Sequence, residues 1–158
     1  MDKGLLLPNS STTELIRARL LEKDCELGFI LDGFPRTLKQ ANDLERITQI
    51  DHVLHFQIDD EEVKDRLSHR RYCPNCNTSY GRDLMPKKDA ACDKCNVGLM
   101  RRDDDRPEIV QTRLKKYHSA TEPLVDFYFE KGLLRRIDAS QKYIYAAEDI
   151  KVILGIWT

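Results

Sequence analysis

The chain has 158 residues, of which 34% are charged and 41% hydrophobic, and its formal net charge is −1. These values describe one globular domain and argue against a protein that binds nucleic acid or a membrane surface through its overall charge. No apolar run approaches the roughly 18 residues that span a bilayer, and the first residues do not form a secretory signal.

Two elements are predicted before residue 32. Ser11 and Glu14 form a capping-box pattern, and Ile16 and Leu20 then recur at helical spacing, so a helix is expected here. The run 28–31 is short, continuous and apolar, which is typical of a strand covered on both faces.

Two further units of helix and strand follow. Asp32–Thr37 reads as a turn, and Thr37 with Gln40 predicts the cap of a second helix. Residues 53–58 predict another strand, after which an aspartate caps a third helix. Strands and helices that alternate at this spacing predict parallel β-α units. The second helix should turn four apolar side chains inward, those of Leu38, Ala41, Leu44 and Ile47.

The pattern changes over residues 70–105, where polar residues and cysteines replace hydrophobic periodicity. This stretch is predicted to be a small inserted module. Asp105 as a cap and Pro107 in the first turn then predict a long helix, which Pro123 bends or restarts. The last predicted elements are a strand over 133–137 and a helix over 147–156.

The inserted module carries two C-x2-C pairs separated by fifteen residues, formed by Cys73, Cys76, Cys92 and Cys95. Two such pairs supply four thiolates that can complete a tetrahedral zinc site, and the alternative is four free surface cysteines. Four thiolates leave no position for water, so the zinc is expected to be structural. Cysteines that suit metal favour a reducing compartment. We therefore expect a cytoplasmic protein, with an organelle as the open alternative.

Arginines flank the module on both sides. If the two ends of the module are close in space, these guanidinium groups converge and can bind phosphate through bidentate hydrogen bonds. The alternative is a solvated face paired with the acidic run 103–105. The arginines concerned are Arg66, Arg70, Arg101, Arg102, Arg106 and Arg113.

The turn Asp32–Thr37 lies where a predicted strand gives way to a helix, which is the usual ligand-binding edge of an open α/β sheet. Gly33 lets the backbone approach a ligand, Arg36 can hold a phosphate, and Asp32 can orient water around a metal ion. The alternative is a tight turn with a surface arginine, in which Gln40 is only a capping partner.

The Asp32–Thr37 sequence, DGFPRT, resembles the most characteristic motif of the adenylate kinase family. The agreement covers essentially the whole chain and includes the cysteine module, Arg102–Asp105 and the Tyr117-His118 pair. The resemblance implies an α/β fold, a P-loop-kinase-like parallel sheet with flanking helices and an inserted zinc-binding LID. Its implied division is a CORE part over 1–69 with a remnant of the AMP-binding segment at 1–8, the LID over 70–105, and the remaining CORE over 106–158.

On the AMP side, the resemblance implies that Arg36 binds the phosphate of AMP and Gln40 its adenine. It places Gly33 in the same substrate site and implies that Asp32 binds the waters around Mg2+. The implied partners are ATP and AMP, with no nucleic acid and no membrane.

On the ATP side, the resemblance implies that Arg66 packs on the adenine of ATP. Arg70, Arg102 and Arg113 would clamp the phosphates during transfer. The zinc module would be the lid that closes over ATP.

The sequence contains no G-x-x-x-x-G-K motif, the loop with which members of this family cradle phosphate. We therefore expect an N-terminally truncated form of the fold that is inactive alone, because positioning supplies nearly all the catalysis in such kinases. The truncation would also remove a central strand, which predicts a new strand pairing that closes the gap, self-association or strand exchange, or a chain that is unstable alone. One alternative is a non-catalytic nucleotide- or partner-binding relative. Another, a zinc ribbon that binds nucleic acid, leaves the Asp32–Thr37 motif unexplained.

Overall fold

The computed structural model describes residues 9–88, 90–141 and 143–155. The proposed AMP-segment remnant at 1–8 lies outside them. Six α-helices and four strands occur in the described residues. In chain order they are α1 Asn9–Leu20, α2 Leu38–Glu45, β1 Val53–Gln57, α3 Asp60–His69, β2 Arg71–Tyr72, β3 Ser79–Tyr80, α4 Pro107–Lys116, α5 Pro123–Glu130, β4 Leu134–Asp138 and α6 Tyr143–Leu154.

The described residues form two compact units. The first comprises residues 9–55 and 115–136, and the second comprises residues 56–114 and 137–155. No helix in the described part of the chain is both long enough and apolar enough to cross a membrane.

Strands β1 and β4 are neighbours in a two-stranded sheet. In the first unit the amide of Val53 donates to the carbonyl of Leu133 at 3.0 Å, and in the second unit the amide of Ala139 donates to the carbonyl of Gln57 at 2.8 Å. Both strands advance in the same direction between these two bonds, so the pair is parallel. A parallel sheet accompanied by helices confirms the predicted α/β class.

The core of the first unit lies where α2 packs against α5. Ala41 from α2 forms a buried core cluster with Leu124 and Tyr128 from α5. Leu44, one turn after Ala41, is also buried, as predicted from the helical spacing. Leu38 is 41% exposed, so its predicted burial was wrong. Helical side chains lean toward the helix N-terminus, so Leu38, the first residue of α2, projects beyond the packed face.

Two predictions for the start of the chain were wrong. Residues 28–31 form no strand, and Ile30 is 94% exposed. Within the described residues no segment pairs with this run, and an apolar sequence forms a strand only where a neighbouring backbone completes the ladder. Ser11 is not a helix cap, because α1 already includes Asn9 and Ser10. In this serine- and threonine-rich stretch, several side chains compete as caps.

The long helix predicted after Pro107 is interrupted. Helix α4 ends at Lys116, a π-helical turn covers Tyr117–Thr121, and α5 begins at Pro123. Proline is favoured in the first turn of a helix because it has no amide hydrogen there to leave unpaired. Pro123 therefore restarts the helix, which was one of the two predicted outcomes.

The cysteine module, in the second unit, is built on a short antiparallel pair. Strands β2 and β3 align Arg71 with Tyr80 and Tyr72 with Ser79. Tyr72 also exchanges backbone hydrogen bonds with Met100 at 2.8 and 2.9 Å. These pairings bring the end of the module back beside its beginning, which is the condition under which the flanking arginines can meet.

Candidate functional site: a cysteine centre and two arginine groups

The four cysteine sulfurs of the module converge on one point. They lie within 4.8 Å of one another, with Cys73 and Cys95 at 3.3 Å and Cys76 and Cys92 at 3.5 Å. Four sulfurs around one zinc at about 2.3 Å stand about 3.8 Å apart. All four cysteines are free of disulfides. The donor set and its spacing therefore fit one tetrahedral metal ion.

The two cysteine pairs adopt the same local structure. In the first, the amide of Asn77 donates to the carbonyl of Cys73 at 2.9 Å, and in the second, the amide of Asn96 donates to the carbonyl of Cys92 at 2.8 Å. Both asparagines have a φ of 55°, a left-handed conformation that asparagine tolerates better than most residues. The repeated pattern C-x2-C-N therefore specifies two matching turns, each presenting two sulfurs to the shared centre.

Hydroxyl groups contact two of the four sulfurs. The hydroxyl of Tyr80 donates to the sulfur of Cys92 at 3.4 Å and lowers the pKa of that thiol to about 6. Thr78 lies 3.3 Å from the sulfur of Cys76 and lowers its pKa. The close sulfur of Cys73 raises the pKa of Cys95 to about 11. The centre thus already favours the deprotonated form, which metals require, at Cys92 and Cys76.

A buried carboxylate at the end of the module joins two of the predicted arginines. Arg70 Nε donates to Asp105 Oδ2 at 2.8 Å, and the side chain of Asp105 is fully buried. Arg113 Nη1 lies 3.8 Å from the same carboxylate and 3.2 Å from the carboxylate of Asp104. Arg70 and Arg113 therefore come together, as predicted. Asp105, predicted as a helix cap, instead holds both of them, because a buried carboxylate needs a cationic partner.

Three of the remaining arginines of the predicted group take separate positions in the second unit. The guanidinium of Arg102 lies 5.9 Å above the ring of Tyr72. Arg66 donates to Glu62 at 2.9 Å and to the carbonyl of Ser140 at 3.2 Å. Arg106 pairs with Asp103 at 2.7 Å. The acidic run 103–105 thus pairs with arginines, as the alternative interpretation held, and the phosphate-binding role of these side chains stays a prediction.

The loop Asp32–Thr37, in the first unit, folds Arg36 back onto Gly33. Arg36 Nε donates to the carbonyl of Gly33 at 2.7 Å. Gly33 has a φ of +72°, and a Cβ added there would lie 2.7 Å from Arg36 Nη2. Glycine is therefore required both by the backbone conformation and by the approach of the guanidinium. Asp32 is exposed at the start of the same loop.

Three contacts fix the backbone of this loop. The Thr37 hydroxyl accepts from the amide of Gln40 at 3.2 Å and caps α2, as predicted. The side-chain oxygen of Gln40, which is 3% exposed, accepts from the amide of Arg36 at 2.7 Å. The hydroxyl of Thr121 donates to the carbonyl of Arg36 at 2.9 Å. Gln40 is thus a structural partner of the loop, and its predicted contact with adenine stays a prediction.

Sequence reasoning missed two residues that organise these sites and gave the role of a third only as an alternative. Asp105 was predicted as a cap, and its pairing with arginines was part of the alternative in which the acidic run 103–105 pairs with them. Tyr80 follows Cys76 by four residues, and the one aromatic residue between the two cysteine pairs was a signal for a buried role. Thr121 reaches Arg36 across 85 positions, and no local pattern indicates such a contact.

Comparisons with known proteins give a consistent result. The family model described as adenylate kinase matches residues 1–133. The chain is 40% identical to the adenylate kinase of Caldicellulosiruptor saccharolyticus, over 99% of this chain and 75% of that protein. It is 41% identical to the adenylate kinase of Thermoanaerobacter sp. (98% and 74% covered) and 42% identical to that of Exiguobacterium sibiricum (98% and 75% covered).

Proposed function

The chain belongs to the adenylate kinase family, and we propose that it takes part in reversible phosphoryl transfer between ATP and AMP, which yields two molecules of ADP. The observation that carries this proposal is the loop in which Gly33 makes room for the guanidinium of Arg36. A permanent positive charge on a rigid turn is what a monophosphate needs as a partner.

Arg36 binds the phosphate of AMP in this proposal. Its Nε is held by the Gly33 carbonyl, which leaves the terminal nitrogens to face a phosphate. Gln40 meets the adenine of AMP through its amide nitrogen, since its oxygen is taken by the amide of Arg36. Asp32 orients the waters of a Mg2+ ion that accompanies the nucleotide, a role supported by its exposed carboxylate.

Arg70, Arg113 and Arg102 clamp the phosphates that are transferred, and Arg66 packs against the adenine of ATP. Phosphoryl transfer is accelerated mainly by positioning and by positive charge around the migrating group. Support comes from the carboxylates of Asp104 and Asp105, which hold Arg70 and Arg113 in fixed orientations. An arginine that is already oriented loses less entropy when it binds phosphate.

The metal held by the cysteine centre is zinc with a structural role. Four thiolates suit zinc and leave no position for a reacting water. When bound, the ion would supply cross-links within a module that buries few apolar side chains. Residues 70–105 then act as the LID over ATP, and residues 1–69 and 106–158 contribute the two CORE parts.

The 158 residues alone are proposed to be catalytically silent. They contain no G-x-x-x-x-G-K motif, and none of the arginines discussed above can replace both the lysine and the backbone amides of that loop.

The 158 residues alone are also proposed to self-associate. Leu27 and Ile30 are 103% and 94% exposed, and exposed apolar runs are common sites of association. Sedimentation velocity should show species larger than a monomer, which Ile30→Glu should reduce.

AMP binding by the Arg36→Ala variant tests the proposed substrate site. Loss of a hydrogen bond to a charged group removes about 1.5–3 kcal/mol, a roughly 10- to 150-fold loss of affinity measurable by calorimetry. Arg46→Ala is the matched control, because Arg46 lies at the other end of α2 and is 78% exposed. Equal AMP affinity for the wild type and Arg36→Ala would remove the basis for the proposal.

A further inference from the structure

We propose that Tyr80 is a positioning residue of the metal centre: its hydroxyl donates a hydrogen bond to the thiolate of Cys92 and thereby sets how tightly zinc is held. This inference rests on the proposed zinc site and extends it from the four ligands to their surroundings. The donor is a side chain of β3, where Tyr80 pairs with Arg71 and is only 5% exposed.

The direction of the hydrogen bond follows from the second contact of the hydroxyl. The amide of Asp93 donates to the Tyr80 oxygen at 2.8 Å. A phenol has a single proton, and an amide can only donate to it. The proton of Tyr80 is therefore directed to the remaining neighbour, the sulfur of Cys92 at 3.4 Å. Tyr80 thus connects the backbone of the second cysteine turn to one of that turn's own ligands.

The burial of Cys92 explains why such a donor matters. Four thiolates and one Zn2+ carry a net charge of about −2, which must be offset by hydrogen bonds where water is excluded. Cys92 is 2% exposed, whereas Cys76 is exposed. Water can reach the sulfur of Cys76, while the sulfur of Cys92 depends on protein donors. Outer-shell partners of this kind typically change metal affinity 10- to 100-fold when they are removed.

Packing alone does not account for a tyrosine at this position. The ring contributes to a small core with Cys73 and Cys92, on which Cys95 and Leu99 also pack. A phenylalanine would fill the same space without a buried hydroxyl to satisfy. Tyr80→Phe therefore separates the two roles, because it keeps the ring and removes only the hydrogen bond.

The experiment compares zinc binding by the full chain, Tyr80→Phe and Tyr72→Phe. Tyr72 lies in the same module on β2, with its ring beneath Arg102. Zinc content is measured first, and zinc affinity and release are then measured by competition with a chromophoric chelator. We expect about one zinc per wild-type chain, a 10- to 100-fold weaker affinity for Tyr80→Phe, and an affinity within about twofold of wild type for Tyr72→Phe.

A second readout uses Co2+ at saturating concentration, where weaker binding no longer limits loading. Loss of the hydrogen bond raises the energy of the sulfur electrons, so the sulfur-to-cobalt charge-transfer band of Tyr80→Phe should move to longer wavelength. The band of Tyr72→Phe should not move. A wild-type chain that binds no zinc would contradict the proposed metal site. Equal zinc affinity and identical cobalt spectra for the wild type and Tyr80→Phe would overturn the role proposed for Tyr80 but not the proposed metal site.

Discussion

Arg70 and Asp105, which stand 35 positions apart in the sequence, form an ion pair in which the carboxylate is fully buried. They lie at the first and last residues of the predicted LID, so this pair closes the base of the module. Arg113 approaches the same carboxylate at 3.8 Å. One acidic side chain therefore orders two of the arginines that are proposed to clamp phosphate.

Asp105→Asn should destabilise the protein, because it leaves Arg70 beside a neutral amide in a buried position. Loss of a charge-assisted hydrogen bond predicts a decrease of about 1.5–3 kcal/mol in the free energy of unfolding, measured by urea denaturation of the metal-loaded chain. Asp103→Asn is the control, since Asp103 pairs with Arg106 while its side chain is 80% exposed. Its effect should stay within about 0.5 kcal/mol. Equal stability of the two variants would show that the buried pair has no special role.

Gly33→Ala should weaken AMP binding and also lower the stability of the folded protein. Alanine at a φ of +72° strains the backbone by about 1–2 kcal/mol. The added Cβ would also lie 2.7 Å from Arg36 Nη2, so the guanidinium must leave its place in the loop. Gly81→Ala is the matched control, because no atom lies within 4 Å of a Cβ built there. Calorimetry that finds the same AMP affinity for Gly33→Ala and Gly81→Ala would contradict this account of the loop.

Local patterns predicted the parts of the sites that depend on sequence spacing. The C-x2-C pairs predicted the cluster of four cysteine sulfurs that could hold a metal ion, and Thr37 predicted the cap of α2. Partners that lie far apart in the sequence were harder to assign. The pairing of Asp105 with Arg70 was predicted only as an alternative, because it forms only after the module folds back. The contact of Tyr80 with Cys92 was missed, because it forms only through the shared core of the module.

The strand predicted over 28–31 failed for a different physical reason. Hydrophobicity in a sequence reports that a segment gains from burial, but it does not supply the neighbour with which a strand pairs. In the described residues β1 pairs with β4 and leaves Ile30 exposed. A periodic helix such as α2 needs only its own backbone and one packed face, and its position was therefore predictable from the sequence.

His55 should make the stability depend on pH. Its Nε2 lies 3.0 Å from the hydroxyl of Tyr117, and its Nδ1 is buried without a hydrogen-bond partner in the described residues. Burial lowers the pKa of His55 below the ordinary value of 6.5. As the pH falls below about 6.5, the unfolded chain binds a proton before the folded chain does. Stability is therefore fully present above this pH and falls as the pH approaches the lower pKa of the folded state.

Urea denaturation between pH 7.5 and 5 measures this effect. The wild type should lose stability over the acidic half of the range, and His55→Gln should lose less. His52→Gln replaces an exposed histidine and should retain the wild-type slope. A His55→Gln slope equal to that of the wild type would show that His55 does not titrate as its burial requires.

Phosphoryl transfer itself is tested most directly by a coupled assay of ADP formation from ATP and AMP with Mg2+. Three proteins are compared: the 158-residue chain, the same chain joined behind a segment bearing the family's glycine-rich loop, and the Arg36→Ala variant of that joined protein. We predict no ADP above background from the first, turnover by the second, and a strongly reduced rate from the third. The account would be contradicted if the 158-residue chain formed ADP at the rate of the joined protein. It would also be contradicted if Arg36→Ala left the rate of ADP formation by the joined protein unchanged.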